Sequence, residues 1–397
     1  MLLVGAGARE HALAWRISTS PSLTELHAAP GNPGIASFGH CHPVRVDDGD
    51  GLLGVARAIA ADLVVVGPEA PLVAGVADDL RHAGIAVFGP GIGAARIEGS
   101  KTFAKDVMAA AGIPAARPLP IAKAPCVIKA DGLASGKGVF VCHTQAEVDA
   151  GVIAAAALGE KIVIEDLLEG PEVSLFALCD GKRAFPFGAA QDYKRAEDGD
   201  AGPNTGGMGA YSPVAGVDVA ELVERVHQPV VDELARRGTP FVGCLFAGLM
   251  LTERGPRVLE FNARFGDPET QVLIPRIEGD LLQALAASAA GNGAETVALG
   301  EDAAVTVVLT GPEYPARSDY SGAPITGIAG AETLGAHVFH GGTAMHGATL
   351  VTNGGRILSV TATGVTVAEA RELAYRAAGE ISFEGARFRT DIAAPAG

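Results

Sequence analysis

The sequence predicts an α/β and α+β multidomain protein, with an amino-terminal open parallel α/β unit, a central part, and a small carboxyl-terminal α+β unit. Three observations carry this expectation. Residues 1–97 alternate short β-rich runs that end in glycine with helix-like stretches, the βαβ rhythm of a parallel sheet. Residues 98–293 break that rhythm with a Pro-rich link (Pro114, Pro118, Pro120, Pro125) and a compact strand–helix–strand set. Gly291-Asn-Gly293 then marks a boundary before residues 294–397. A chain of 397 residues is roughly two to three domains at about 150 residues each.

Taken in order, Leu2–Val4, Leu63–Val66 and Ala86–Phe88 read as strands of the first unit. The glycines behind them mark loops at strand carboxyl ends, where ligands sit in open α/β sheets. A helix pattern runs from Ser100 to about Ala111 and stops at Gly112-Ile-Pro114. Strands Cys126–Ala130 and Val139–Cys142 flank a glycine-rich turn, and a helix covers Gln145–Leu158. Strands Ile162–Glu165 and Val173–Cys179 complete a small α+β unit. Residues 186–213 form a long polar, Gly-rich stretch, and loops of that length in compact domains often carry function. A helix (Val217–Arg236), strands Phe246–Thr252 and Val258–Phe261, and a helix Asp280–Ala290 follow. The tail has strands near Ala304–Leu309, His337–His340 and Ile357–Thr363, then a helix Val367–Gly379, with no catalytic motif.

Composition removes several classes of function. With 48% hydrophobic and 19% charged residues the chain is globular rather than disordered. A net charge of −16 argues against bulk nucleic-acid binding, which needs a basic surface. The five cysteines are scattered, with no CxxC pair, which fits reduced thiols in a cytoplasmic protein. The opening Met1-Leu-Leu-Val-Gly-Ala-Gly-Ala carries no basic leader and reads as a first strand rather than a signal peptide. No charge-free run of about 20 apolar residues occurs, so no membrane span is expected.

The densest polar cluster is Val258-Leu-Glu-Phe-Asn-Ala-Arg-Phe-Gly-Asp-Pro-Glu-Thr-Gln271. Glu260 and Asn262 stand two apart on a strand and so share a face, where both can hold a hard cation such as Mg²⁺. Arg264, beside them, suits an anion. Gly5-Ala-Gly7-Ala-Arg9-Glu10 follows a strand and opens a helix, but its third fingerprint position is Glu10, so a nicotinamide site is disfavoured. The helix start could still bind a phosphate, or the glycines make only a tight turn. Asp131-Gly-Leu-Ala-Ser-Gly136-Lys137-Gly138 fails the P-loop pattern at Asp131 and Gly138 and reads as a flap able to cover phosphates with backbone amides. Lys129 before it is a phosphate ligand or a snorkelling edge residue. Ile162–Glu172 is a strand ending in acids, either solvated or an adenine hinge with Glu172 on the ribose hydroxyls. Gln191-Asp192-Tyr193-Lys194-Arg195 and Gly202–Tyr211 embed Asp, Lys, Asn and Thr among glycines, which a plain linker would not. No histidine sits in a recognisable nucleophile arrangement, and His11 near the first loop reads equally as structural.

These pieces, in this order, closely resemble the phosphoribosylamine–glycine ligase (glycinamide ribonucleotide synthetase) family of the ATP-grasp superfamily. The likeness spans nearly the whole chain. It runs from Gly7-Ala-Arg9-Glu10-His11 and Ala29-Pro-Gly-Asn32 through Val66-Gly-Pro-Glu69, Glu98-Gly-Ser-Lys101, Lys129-Ala-Asp-Gly132, Gly206-Gly-Met-Gly209 and Glu260–Gln271, to Val351-Thr-Asn-Gly-Gly355 and Arg389-Thr-Asp-Ile392. It implies a central ATP-grasp domain pair over residues 98–293 with a small lid at about 115–180. It also implies the reaction of ATP, 5-phosphoribosylamine and glycine to ADP, phosphate and glycinamide ribonucleotide, through a glycyl phosphate, in de novo purine (IMP) biosynthesis.

By position, the resemblance makes Lys101 and Lys129 ATP-phosphate lysines, Ser135, Gly136, Lys137 and Gly138 the flap, and Glu165, Asp166, Leu167 and Glu172 the adenine and ribose set. Glu260 and Asn262 would hold Mg²⁺ or Mn²⁺. Asp192 and Arg264 would take glycine's ammonium and carboxylate, so that Arg264, Lys129 and Asp192 carry the chemistry. Arg9, Glu10, Pro30, Gly31, Asn32 and Glu69 would receive phosphoribosylamine, with Asn204, Gly207 and Met208 beside the substrates. The implied protein is a cytoplasmic monomer that binds small molecules and neither nucleic acid nor membrane. The rivals are another ATP-grasp carboxylate–amine ligase of purine synthesis and a nucleotide-binding regulator without catalysis. Relative to the family, the stretches between Pro114 and Cys126 and between Gln145 and Ile162 are short, and Tyr193 stands where histidine is common.

Overall fold

The computed structural model describes residues 1–133, 138–159, 161–294 and 297–394. Five parallel strands open the chain: β1 (Leu2–Gly5), β2 (His27–Pro30), β3 (His40–Cys41), β4 (Leu63–Val66) and β5 (Ala86–Phe88). They lie in the order β3-β2-β1-β4-β5. Leu2–Gly5 and Leu63–Val66 are buried throughout, as parallel strands covered on both faces must be. The chain steps outward from β1 to β2 and β3 and then returns to β4, so the switch point lies between β1 and β4. Helix α1 (Ala8–Ile17) starts there. Strands β2 and β3 are absent from the sequence expectation, because His-Ala-Ala-Pro and His-Cys carry no β-branched signal.

Helix α2 (Lys101–Ala110) is capped by Ser100, whose hydroxyl accepts the Phe103 amide. Strands β6 (Cys126–Ala130), β7 (Val139–Cys142) and β8 (Ile162–Asp166) make a three-stranded antiparallel sheet, with β6 central. Helix α3 (Gln145–Leu158) lies across it, over a small core that includes Cys126, Ile128, Cys142 and Val148.

An eight-stranded sheet forms most of the remaining scaffold. It contains β9 (Glu172–Asp180), β10 (Ala184–Asp192), β11 (Gly209–Ser212), β12 (Val242–Thr252), β13 (Gly255–Asn262), β14 (Ala303–Thr310), β15 (His337–His340) and β16 (Arg356–Gly364), ordered β13-β12-β9-β10-β11-β14-β16-β15. Helix α4 (Val367–Glu380) packs its alanines against it. Two expectations are corrected here. Val173–Cys179 does not complete the small unit but is buried on both faces inside the large sheet, as its unbroken apolar run requires. The expected loop 186–213 begins as β10, whose Ala184–Ala190 half is apolar enough to pair with β9. The expected single helix Val217–Arg236 runs as helical turns from Val219 to Arg236, with a wider turn at Val223–His227 just before Pro229, which has no N–H to close a regular one. Among the described residues no helix is long and apolar enough to cross a membrane.

Candidate active site

The end of β13 fixes the centre. Glu260 lies opposite Gly248 and Asn262 opposite Phe246 on β12, which puts both oxygen-bearing side chains on one face. A Cβ on Gly248 would stand 3.4 Å from Glu260 Cγ and 3.9 Å from Glu172 Oε1, so this glycine lies beneath two carboxylates. Burial raises the pKa of Glu260, but Lys194, Lys129, Lys101 and Arg264 together outweigh it and hold the carboxyl below its usual range. Glu260 is therefore an ionised carboxylate in a ring of cations that come from four different elements.

Each cation is placed by its own element. Lys129, 5% exposed on β6, donates Nζ to the carbonyl of Leu259 at 2.9 Å and pairs with Glu165 Oε2 at 2.9 Å. Lys105 of α2 reaches the other Glu165 oxygen at 2.6 Å. Glu165, 1% exposed, thus spends its carboxylate between two lysines inside the joint of the small sheet. Asp166 turns away to accept the Arg117 amide at 2.5 Å, and Leu167 follows it, half-buried. Lys101 donates Nζ to the Gly132 carbonyl at 3.0 Å, while its amide donates to Asp131 Oδ1 at 2.6 Å. Burial lowers the Lys101 pKa and Glu260 opposes that shift. Ser135, Gly136 and Lys137 of the expected flap lie outside the described residues. The carbonyl of Gly138 accepts the Ala130 amide at 2.8 Å.

Lys194 pairs with Glu172 at the start of β9, and both face Asp192. Burial pushes the Asp192 carboxyl up to about 8, Lys194 works against this, and Glu269 and Glu172 add to it. Arg264 is occupied on two sides. Its Nε pairs with Glu69 at 3.1 Å and its Nη2 with Glu98 at 3.0 Å, and Glu98 also accepts the Ala263 amide at 2.7 Å. Burial raises Glu69, but Arg264 and Arg9 win and bring it down to about 2. The 7%-exposed side chain of Glu98, deeper, has its pKa raised by burial, although Arg264 opposes the shift.

The loops of the first unit use their polar groups internally. Glu10 accepts the Gly7 amide at 2.7 Å and pairs with Arg9 Nε at 2.5 Å, and Arg9 Nη1 donates to the Phe265 carbonyl. A Cβ on Gly5 or Gly67 would fall 2.4 or 2.1 Å from Glu10 atoms, so these glycines make room for Glu10. The α1 start, which the sequence left open as a phosphate site, is capped by its own carboxylate. Asn32 Nδ2 donates to the carbonyls of Ala6 (2.8 Å) and His340 (2.7 Å). Pro30 ends β2, and a Cβ on Gly31 would meet Cys41 Sγ at 2.3 Å. Asn204 pairs with Arg195 across a short hairpin. Gly207, at φ +110°, lies against Pro268, and Met208 is buried behind it. That contact brings the two most specific polar stretches together. Tyr193 points elsewhere, its hydroxyl accepting the Ala393 amide at 2.9 Å.

Sequence reasoning missed Glu98, Lys105, Asp131 and Lys194 as members of this network. The signal for Lys105 was its i+4 spacing from Lys101 on one helix. Among the described residues no group of three or more His, Cys, Asp or Glu side chains is placed to hold a metal ion. Glu260 and Asn262 nonetheless fit a hard cation that takes its other ligands from phosphate and water, the usual manner of Mg²⁺. A cavity of about 770 Å³ lies between β7, α3, the hairpin at Arg195–Asn204 and Tyr314. Of the expected site residues that are described, only Asn204 lines it, so it is the gap beside the small unit and not the lysine cluster.

A small antiparallel sheet clamped over a large one by lysines and carboxylates defines an ATP-dependent ligase of the ATP-grasp class. The chain belongs to the phosphoribosylglycinamide synthetase family, whose N domain matches residues 1–98, ATP-grasp (A) domain residues 99–270 and C domain residues 304–395. It is 52% identical to the phosphoribosylamine–glycine ligase of Streptomyces coelicolor, covering 100% of this chain and 99% of that one, and 49% identical to that of Mesorhizobium japonicum, covering 99% and 97%. The crystal structure of phosphoribosylamine–glycine ligase from Thermotoga maritima superposes with a TM-score of 0.85 at 34% identity, over 98% of this chain and 99% of that one. Biotin carboxylase from Campylobacter jejuni, at 12% identity and a TM-score of 0.71, shares the fold alone.

Proposed function

We propose that this ligase joins glycine to 5-phosphoribosylamine while converting ATP to ADP and phosphate, and so supplies glycinamide ribonucleotide to IMP synthesis in the cytoplasm. The observation that carries the reading is the set of Lys101, Lys129 and Lys194 about Glu260, four residues before Arg264, in a chain that matches relatives of that name end to end. A carboxylate oxygen is a poor leaving group. A glycine oxygen therefore attacks the γ-phosphorus in line, ADP departs, and glycyl phosphate results. The amine of phosphoribosylamine then attacks the acyl carbon, phosphate leaves, the C–N bond forms, and the nitrogen loses a proton.

Such transfer needs positioning and neutralised charge rather than a protein nucleophile. Lys101 and Lys129 meet the ATP phosphates, with Glu172 toward the ribose. Asp192 holds glycine's ammonium and Arg264 its carboxylate, which enters beside Glu69 and Glu98. Glu260 and Asn262 would hold Mg²⁺ or Mn²⁺, which neutralises phosphate charge when bound. All these residues come from one chain, so a monomer suffices. The test is product identity after incubation with ATP, glycine and phosphoribosylamine. Glycinamide ribonucleotide is expected, formed one-to-one with ADP. ADP release with a different carboxylate and amine, and none with this pair, removes the assignment.

A further inference from the structure

The stretch Asp192-Tyr193-Lys194 leaves the end of β10 and sends its side chains two ways. Asp192 and Lys194, two apart, both face Glu172 and the carboxylate cluster of the site. Tyr193 between them points to the other side and packs against the apolar core that α4 covers. Its amide donates to the Gly209 carbonyl at 3.0 Å, and its carbonyl accepts the Met208 amide at 2.8 Å. Its side chain reaches the tail. The hydroxyl accepts the Ala393 amide at 2.9 Å, and the Arg389 guanidinium lies over the ring, 5.0 Å from its centre.

Arg389 also grips the hairpin that follows. It is 2% exposed, and its Nη1 donates to the carbonyl of Arg195, the residue after Lys194, at 3.0 Å. Its Nε and Nη2 fork onto Asp391 at 2.7 Å each, and Asp391 Oδ2 accepts the Gly199 amide at 2.8 Å. On its far side the segment is tied to α4: Tyr375 donates its hydroxyl to the Arg389 carbonyl at 2.8 Å and accepts the Ile392 amide at 2.9 Å. None of residues 195–204 is buried. A hairpin without buried residues cannot by itself hold the stretch before it rigid. Residues 389–393 supply that anchor by bridging a packed helix to it.

We propose that Tyr193 and Arg389 are positioning residues of the ligase, through which the tail segment 389–393 holds Asp192 and Lys194 at the glycine end of the site. This rests on the reading of Asp192 as the partner of glycine's ammonium, and it extends glycine binding to the carboxyl-terminal unit. A carboxylate bonds an ammonium at about 2.8 Å, so a displacement of about 1 Å forfeits most of the contact. Tyr193 and Arg389 touch no substrate in this arrangement and act only on where Asp192 stands.

The test is steady-state kinetics of the full chain with each substrate varied in turn. Tyr193→Phe deletes one hydroxyl and keeps the ring. It is expected to raise KM for glycine about fivefold, the factor one hydrogen bond carries, with KM for ATP and phosphoribosylamine changed less than about twofold. Arg389→Lys keeps the charge but cannot make the fork and the Arg195 bond together, and the same selective rise is expected. Tyr320→Phe removes a tail bond of the same kind, to the Glu384 carbonyl at 2.7 Å, that does not reach the hairpin, and should leave all three KM values within about twofold. Because Tyr193 acts through Asp192, Tyr193→Phe should add no further rise in glycine KM once Asp192→Asn is present. Four results overturn the inference: an unchanged glycine KM in Tyr193→Phe and in folded Arg389→Lys, an equal rise for all three substrates, the same rise in Tyr320→Phe, or a full further rise in the Asp192→Asn background. A wild-type glycine KM in Asp192→Asn instead removes the glycine reading beneath it, and the inference with it.

Discussion

At Asp192 burial outweighs a lysine neighbour, and the consequence is a pH profile. Its carboxyl is pushed up to about 8, so the free enzyme carries it protonated over much of the neutral range. Only the ionised form can hold an ammonium group. The kcat/KM for glycine, which reports the free enzyme, is therefore expected to rise with pH through about 8. Asp192→Asn should lower it and remove that rise. A wild-type profile flat through this range would take Asp192 away from glycine. The stability sign runs the other way: a carboxyl raised on folding favours the native state most at acid pH, and that contribution is lost as pH climbs toward about 8. Glu260 makes the opposite case, since its cations keep it ionised. Glu260→Gln should cut ADP formation by about a hundredfold or more, with circular dichroism unchanged. Near-normal turnover would remove the metal assignment.

Among the elements, the small sheet is fastened by two polar joints, and each can be cut separately. Glu165 bridges Lys105 of α2 and Lys129 of β6, with all three side chains at most 12% exposed. Glu165→Ala strands two buried ammonium groups and is expected to cost about 3 kcal/mol or more, read as a lower urea midpoint. No change would show that the lysines find water instead. Asp131 accepts from Thr102 and from the Lys101 amide at the start of α2. Asp131→Ala should cost about 1 kcal/mol and raise KM for ATP, since it removes the carboxylate that fixes the start of α2 and so aims Lys101. Legibility followed local signal at this scale. β4, β6, β7 and β8 were readable because β-branched runs end in turns. β9 was given to the wrong unit because sequence shows a strand but not its sheet. The Glu260–Arg264 cluster was readable as chemistry, since its donors sit within one short stretch. That Glu69, expected with the amine substrate, and Glu98 both pair with Arg264 was not readable, because an ion pair between distant segments leaves no local pattern.

In the whole molecule, the amino-terminal unit is tied to the tail through buried imidazoles and one amide. His340 donates its backbone amide to His11 Nδ1 at 2.8 Å, Asn32 donates to the His340 carbonyl, and Trp15 packs on His337. His11 is 6% exposed, and burial first, then His340 and His337, brings its pKa down to about 3. Burial takes His340 to about 4 and lowers His337 as well. The folded state thus holds these rings neutral, while the unfolded chain protonates them near 6.5. A depressed histidine contributes stability above the unfolded value and loses it as pH falls. The loss is about 1.4 kcal/mol per pH unit for each such ring, and for His11 it continues toward about 3. The urea midpoint should accordingly fall steeply from pH 6.5 toward 4. His11→Gln supplies a carbonyl that can accept the same amide but has no proton to gain. It is expected to be less stable than the wild type at pH 7, because the packing against Phe339 is lost, yet shallower in its acid slope by about one ring's worth. Equal slopes in the two proteins would mean that this junction opens before the histidines titrate, and that acid acts elsewhere in the fold.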